Sequence, residues 1–404
     1  METWIYVVII IGVVLVAGLV CVVLWRTGTF NKAQSNSSIP AAGSSIGNNY
    51  NPCVANVTVT LDSEITDLPE ATQPGVSFNS NSSTLMMAYN PNGKAASSII
   101  EQYLEGTATQ IALNVPGLIL QPRSIAALGP FLAAYAVTQS TDGTLNYSTG
   151  STKGSALTDY GTYVIVDSFP PNGARTLNNL LPAMSNETPE LLTEFDGYLY
   201  IAWFDRGTTN TTVRSYTLGT NGLPSLPQEE FVLQSTRPYA WNVRGKTMVI
   251  SANNVILTYQ QDKTTKKWSV LNLSLPIFAT SVQLSYDQYY LAANSGTGSV
   301  SLYSRTDLSS TFTFLNSVTD ETIGNSMTFI SNQPGLLISC GSGSPKYLSC
   351  TVGAQLTTWS GDTAAAPANF VGGGVLQTIS GTIYDSFYIM TNSTNTVRHY
   401  VECH

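Results

Sequence analysis

Histidine is almost missing from this chain: His399 and His404, both at the C-terminal end, are the whole supply. A Ser-His-Asp triad needs a positioned imidazole, and His399, beside Arg398, is the one internal candidate. Charge is scarce too. Lys, Arg, Asp and Glu make up 10% of 404 residues, with a net charge of −8. No basic cluster supplies the positive footprint that phosphate neutralisation requires, which argues against nucleic acid as a partner. The glycine run at 372–374 lacks the Lys and the flanking pattern of a phosphate-binding loop. Cysteine is limited to five residues. If four of them are oxidised, a zinc site of the His/Cys kind is excluded by ligand count. These shortages nominate no catalytic residue, no metal ligand and no cofactor. Carboxylates and amides that hold Ca²⁺ stay open as an alternative, although no spacing selects them.

What is abundant is uncharged. Residues 4–25, WIYVVIIIGVVLVAGLVCVVLW, carry no charge over 22 positions. As a helix that length spans about 30 Å of hydrocarbon, and Trp4, Tyr6 and Trp25 sit where aromatic rings favour the interface. A cleaved signal peptide would have Lys or Arg before the run and a small-residue cleavage site after it. Only Glu2 precedes it, so residues 1–26 are expected to be an uncleaved anchor in a lipid bilayer. Residues 27–52 are rich in Ser, Asn, Gly, Ala and Pro and have no hydrophobic period, as in a flexible stalk.

From residue 53 to 404 the pattern is β. GYLYIAWF at 197–204 and TTVRSYTL at 211–218 form a pair of apolar strands around a polar turn. Similar pairs follow at 247–260, 288–304, 335–350 and 386–401, and weaker first members stand at 84–90 and 131–137. The recurrence every 40–65 residues or so signals a propeller of four-stranded blades. Counting first members at Thr84, Phe131, Tyr198, Thr247, Gln288, Gly335 and Ser386 gives seven blades, with six or eight as alternatives. A pair of β-sandwiches is the alternative fold. The long gap at 168–190, with its Pro, Gly and Asn clusters, is expected to be an extended surface loop. The strand at 396–401 is the third of its unit. The isolated alternating strand at 54–61 is the natural donor of the fourth, hiding both exposed edges.

YYLAANSGTGSVSLYS at 289–304 resembles the Tyr-Val-x-Asn-x-Gly repeat of YVTN or lactonase-like propellers. FYIMTNSTNTVRHYV at 387–401 keeps the Asn and the Val of that pattern without its Gly. The resemblance covers about a third of the chain. It implies a propeller, often found at cell surfaces, and carries over no active-site residue.

Cys21 lies in the apolar run. Cys340 and Cys350 fall in one hairpin, while Cys53 and Cys403 flank the expected closure. Two bridges, Cys340–Cys350 and Cys53–Cys403, follow if the domain faces an oxidising compartment. Four free buried thiols are the alternative. Asn-x-Ser/Thr acceptors occur at Asn36, Asn56, Asn81, Asn146, Asn186, Asn210, Asn272 and Asn392, a count close to that expected from so Ser- and Thr-rich a composition. Arg26 and Lys32 after the span argue for a cytoplasmic domain. The cysteines and acceptors argue for an extracellular, lumenal or virion-surface one, which is the side expected here.

Phe195-Asp196, Tyr286-Asp287 and Tyr384-Asp385 recur just before first members. They read as structural turns, in which Asp bonds nearby backbone, rather than as a ring of metal-binding carboxylates. Loops around the opening of a propeller suit sugars or protein loops. Asp205 and Arg206 lie between paired strands, Arg237 and Tyr239 in the approach to the next blade, and propeller topology brings both loop types to one face. The sequence therefore points to a non-enzymatic recognition or adhesion module for glycan or protein ligands. A carboxylate- or Ca²⁺-dependent hydrolase of lactonase or glycosidase type, and a structural subunit of a coat, are the rivals.

Overall fold

The computed structural model describes the strands between residues 59 and 181, and then residues 187–218, 226–330, 335–362, 365–379, 382–391 and 396–403. The expected anchor, the stalk and Cys53 fall outside these residues. Among the described residues no helix is long and apolar enough to cross a membrane.

Strand β1 (Val59–Ile65) opens the described chain. The first sheet is β2 (Gly75–Asn79), β3 (Thr84–Tyr89), β4 (Ile99–Leu104) and β5 (Thr107–Ala112). The second begins with β6 (Leu118–Gly129) and β7 (Leu132–Gln139). A separate hairpin, β8 (Leu145–Thr149) and β9 (Thr152–Leu157), is inserted before β10 (Thr162–Ser168) and β11 (Thr176–Leu181) complete that sheet. The third is β12 (Glu187–Phe195), β13 (Tyr198–Asp205), β14 (Thr211–Thr217) and β15 (Gln228–Leu233). The fourth is β16 (Pro238–Arg244), β17 (Thr247–Ala252), β18 (Val255–Gln261) and β19 (Trp268–Leu275). The fifth is β20 (Ser281–Leu284), β21 (Tyr290–Asn294), β22 (Ser299–Ser304) and β23 (Thr313–Thr319). The sixth is β24 (Ile323–Ile330), β25 (Gly335–Cys340), β26 (Lys346–Ser349) and β27 (Thr357–Thr358). The seventh is β28 (Phe370–Ile379), β29 (Thr382–Thr391), β30 (Thr396–Cys403) and, outermost, β1. First strands of successive sheets touch in a cycle: β2, β6, β12, β16, β20, β24, β28 and back to β2. A closed cycle of four-stranded antiparallel sheets is propeller-like and leaves only short edges.

The apolar pairs of the sequence are the second and third strands of these sheets. Those strands have neighbours on both sides and sheets on both faces, so they read as continuous hydrophobic runs. Every residue of β17 and β25 is buried. Side chains alternate between two core layers. Leu199, Ile201 and Trp203 of β13 pack with Val164 and Val166 of the second sheet. Tyr200 and Ala202 pack with Met248 and Ile250 of the fourth. Each fully buried Leu or Ile contributes about 1.5–3 kcal/mol.

The two outer positions behave differently. The second-to-third pairing of all seven sheets is free of register shifts. Bulges fall on first and fourth strands. Among fourth strands, the extra residues are Asp62 in β1, Asn178 in β11, Glu230 in β15 and Leu315 in β23, and β19 is also shifted. A bulged, twisted edge is a poor template for another chain. Among first strands, the shifts lie at 121–124 and Leu128 in β6, Glu190 in β12, Tyr239 in β16, 324–326 in β24 and 373–374 in β28.

Two expectations need correction. The region 168–190 is no extended loop: it contains β11, paired to β10, and the start of β12. Its added length comes before it, from the β8–β9 hairpin. The closing strand extends further along the sequence than expected. It pairs with β30 as expected, but runs from Val59, opposite Glu402, to Ile65, opposite Val397, beyond the expected end at Leu61.

Candidate functional site

Turns between second and third strands share a face with the connections between sheets. The third-to-fourth junction shows this directly. Asn210 Oδ1 accepts from Ser235 N at 2.8 Å, Asn253 Nδ2 donates to Ser235 O at 2.7 Å, and Thr211 Oγ1 donates to Thr236 O at 2.6 Å. Two such turns thus grip one connection. Five of the six first-strand shifts lie toward this face, each opposite the C-terminal half of its second strand; the sixth, at Leu128, lies opposite the start of β7. A bulge re-aims a side chain, so the mouth of the ring on this side is where the sheets depart from regularity.

The bulges at Glu190 and Tyr239 stand on consecutive sheets with Arg237 between them. Arg237 Nη2 lies 2.9 Å from Glu190 Oε1 and 3.0 Å from Oε2, and Thr188 Oγ1 donates to Glu190 Oε1 at 3.1 Å. The Arg237 guanidinium sits 5.5 Å from the Phe204 ring centre. Its side chain is 58% exposed against 17% for Glu190. Tyr239, 47% exposed, meets Phe278, 38% exposed, edge to face, with ring centres 5.3 Å apart at 73°. Phe278 belongs to the next connection, between β19 and β20.

The structure therefore brings Asp205, Arg206, Arg237 and Tyr239 to one face, as expected, but with unequal roles. Asp205 accepts from Thr208 Oγ1 at 2.8 Å and from Gly207 N at 2.7 Å. The Thr208 hydroxyl, then the Gly207 amide, hold its carboxyl below the usual carboxylate range. It is a turn cap. Arg206 is exposed beside it. Glu190, Phe204 and Phe278 were missed in sequence. Pro189 and Pro238, inside or opening strands, were the available signal, because proline in a sheet marks an edge or a bulge. The glycine run at 372–374 likewise proves to be a bulge, and a Cβ at Gly372 would run into the Phe370 ring at 2.7 Å.

Bulges at the mouth are held from within their own sheet and by neighbouring ones. Ser339 Oγ accepts from Ser326 N at 3.2 Å and donates to Ser326 O at 3.0 Å, while Ser326 Oγ accepts from Val371 N at 2.9 Å. Asn294, the Asn of the YVTN-like repeat, takes Gly296 N on Oδ1 and donates from Nδ2 to Gly324 O, both at 2.8 Å. One buried amide thus closes its own turn and braces the next sheet.

Other expected groups fall elsewhere. Cys340 and Cys350 are buried free thiols, not a bridge. Gly335 pairs with Ser349, so residue 344 lies opposite Cys340. Cys350 is six residues further on, about 20 Å along the strand. Cys403 ends β30, and its expected partner Cys53 is outside the described residues. Asp196 and Asp287 lie in turns, and Asp287 Oδ1 accepts from Ser285 Oγ at 2.5 Å and Tyr289 N at 3.0 Å. Asp385 is different: it lies within β29, paired to Leu376 and Glu402, and makes no turn. His399 stacks on Tyr388 at 4.5 Å. Among the described residues no three His, Cys, Asp or Glu side chains converge as a metal site. Of the acceptor asparagines, Asn210 braces Ser235, Asn146 lies in β8 and Asn272 in β19. The other five lie outside the described residues.

No protein-family model matches the chain, and no curated protein matches its sequence. Solved structures do. The chain is similar to the β-propeller domain of Cps50 (Swd1) from Myceliophteria thermophila, with a TM-score of 0.50 and 9% identity over 85% of this chain and 99% of that one. It is also similar to a protein from Lactobacillus plantarum, with a TM-score of 0.48 and 14% identity over 72% and 85%. The WD40 β-propeller domain of Doa1 aligns with a TM-score of 0.46 and 12% identity over 85% and 96%. At 9% identity the likeness to the Cps50 domain is one of fold, and that domain is a β-propeller.

Proposed function

We propose that this is a seven-bladed β-propeller, tethered to a bilayer by residues 4–25 and a stalk of residues 27–52. It works as a non-enzymatic recognition module through the face that carries Arg237. One observation carries the reading. A first-strand bulge carries Tyr239, exposed and edge to face with Phe278 of the next connection, two residues along the chain from a solvent-facing guanidinium, Arg237, whose partner Glu190 stands on the bulge of the preceding sheet. Aromatic and Arg side chains are the usual anchors of recognition surfaces. The uncharged 22-residue run supports the tether. The acceptor asparagines and the Cys53/Cys403 placement support a domain outside the cytoplasm.

Full-length chain screened against glycan arrays and a panel of surface proteins tests the reading. A ligand whose binding falls with Tyr239→Ala and Phe278→Ala, and not with Lys266→Ala on the opposite face, supports it. Hydrolysis of a lactone or glycoside panel, abolished by a chelator, defeats it in favour of an enzyme.

A further inference from the structure

Resting on that reading of the face, we infer that its ligand is a protein segment presenting a carboxylate beside an apolar side chain. The third sheet holds two Arg–Glu pairs of opposite design. Arg214 uses both terminal nitrogens on Glu187, Nη1 to Oε2 and Nη2 to Oε1, each at 2.7 Å. That pair is closed and sheltered. Arg237 uses one: both Glu190 oxygens meet the same nitrogen, Nη2. Its Nε and Nη1 have no protein partner among the described residues, nor have the Arg206 guanidinium and the Tyr239 hydroxyl. Glu190 is already occupied by Thr188 and Arg237.

The groups left open are therefore dominated by donors, and the guanidinium is held in place over the Phe204 ring. An incoming carboxylate supplies two acceptor oxygens in the geometry a guanidinium fits. Phosphate-rich polymers are disfavoured by the chain's net charge of −8. Two residues along the chain from Arg237, on the same face, Tyr239 meets Phe278 at 73°. Rings set edge to face make an angular notch. It accepts a compact apolar side chain better than the flat face of a sugar ring, which favours a protein segment over an acidic glycan.

Phage-displayed random peptides selected on the full-length chain provide the test. The expected peptides carry Asp or Glu next to a Leu, Ile or aromatic residue. Replacing that acid by its amide, or making Arg237→Gln, should each weaken binding about ten-fold or more. The two changes together should cost little more than either alone, because they remove the same contact. Affinity should also fall as salt rises. Unchanged melting of Arg237→Gln excludes unfolding as the cause. Selected peptides without acidic residues, lost on Tyr239→Ser, overturn the carboxylate and leave the recognition face standing. Acidic glycans bound while no peptide is selected do the same. Peptide binding indifferent to Arg206, Arg237, Tyr239 and Phe278 alike overturns both.

Discussion

Arg214 and Glu187 face each other across β13, from the third and first strands of one sheet, in a two-pronged ion pair with both bonds at 2.7 Å. The side chains are 10% and 8% exposed. Hydrogen bonding to Glu187, more than any other contact, raises the Arg214 pKa. Breaking such a pair leaves one charge buried and uncompensated. Glu187→Gln or Arg214→Leu should each cost about 3–5 kcal/mol, and replacing both with apolar residues should recover most of the loss. Urea unfolding of the full chain measures it. Equal stability of the single variants would contradict the buried geometry.

Burial pushes the Cys350 thiol up to about 12, and the Tyr200 and Tyr259 hydroxyls likewise to about 12. In the unfolded chain these groups ionise near their ordinary values of 9.0 and 10.0. Their folded pKa values are the higher ones, so the unfolded state loses protons first as pH rises. Stability is therefore full below pH 9 and falls progressively toward pH 12. Thermal melts across that window should show the decline, and Cys350→Ala should lessen it. At pH 8 without reductant, neither Cys340 nor Cys350 should react with a maleimide until the chain is unfolded. Both should react then.

Ser339 holds the bulge of β24 at the mouth of the ring through Ser326 N and O. Ser339→Ala removes both bonds and leaves half-buried backbone groups of Ser326 unmatched, at about 1 kcal/mol. Guanidinium chloride midpoints check the size. A neutral result would mean that the bulge supports itself.

Among the described residues, β1 is the strand that covers the outer edge of β30. Deleting residues 59–65 alone should expose that edge and make the protein self-associate, read by size-exclusion chromatography in detergent against the full chain. A stable monomer would contradict closure by β1.

Five central strand pairs were legible because strands such as β17 and β25 are buried on both faces, while only the first members of the other two pairs could be read. TMVISA and GLLISC stay apolar at nearly every position, and no period-two mask is needed to find them. First and fourth strands were not legible. ETPELLTEF and QEEFVL mix charges with apolar residues, and an added Glu190 or Glu230 breaks whatever alternation remains. Register is invisible in composition, which is why two cysteines ten residues apart looked like a bridge. Topology alone placed Asp205, Arg206, Arg237 and Tyr239 on one face. Glu190 and Phe278 were missed, because a bulge and an aromatic pair between sheets exist only in three dimensions.

The most direct test of the recognition face is hydrogen exchange on the full chain with and without its selected ligand. The account predicts slowed exchange in residues 204–210, 234–240 and 276–280, which carry Phe204, Arg237, Tyr239 and Phe278. It predicts no change at 196–197, 262–267 and 305–312 on the opposite face. Protection confined to that opposite face, or to the outer strands β15, β19 and β23, would contradict it.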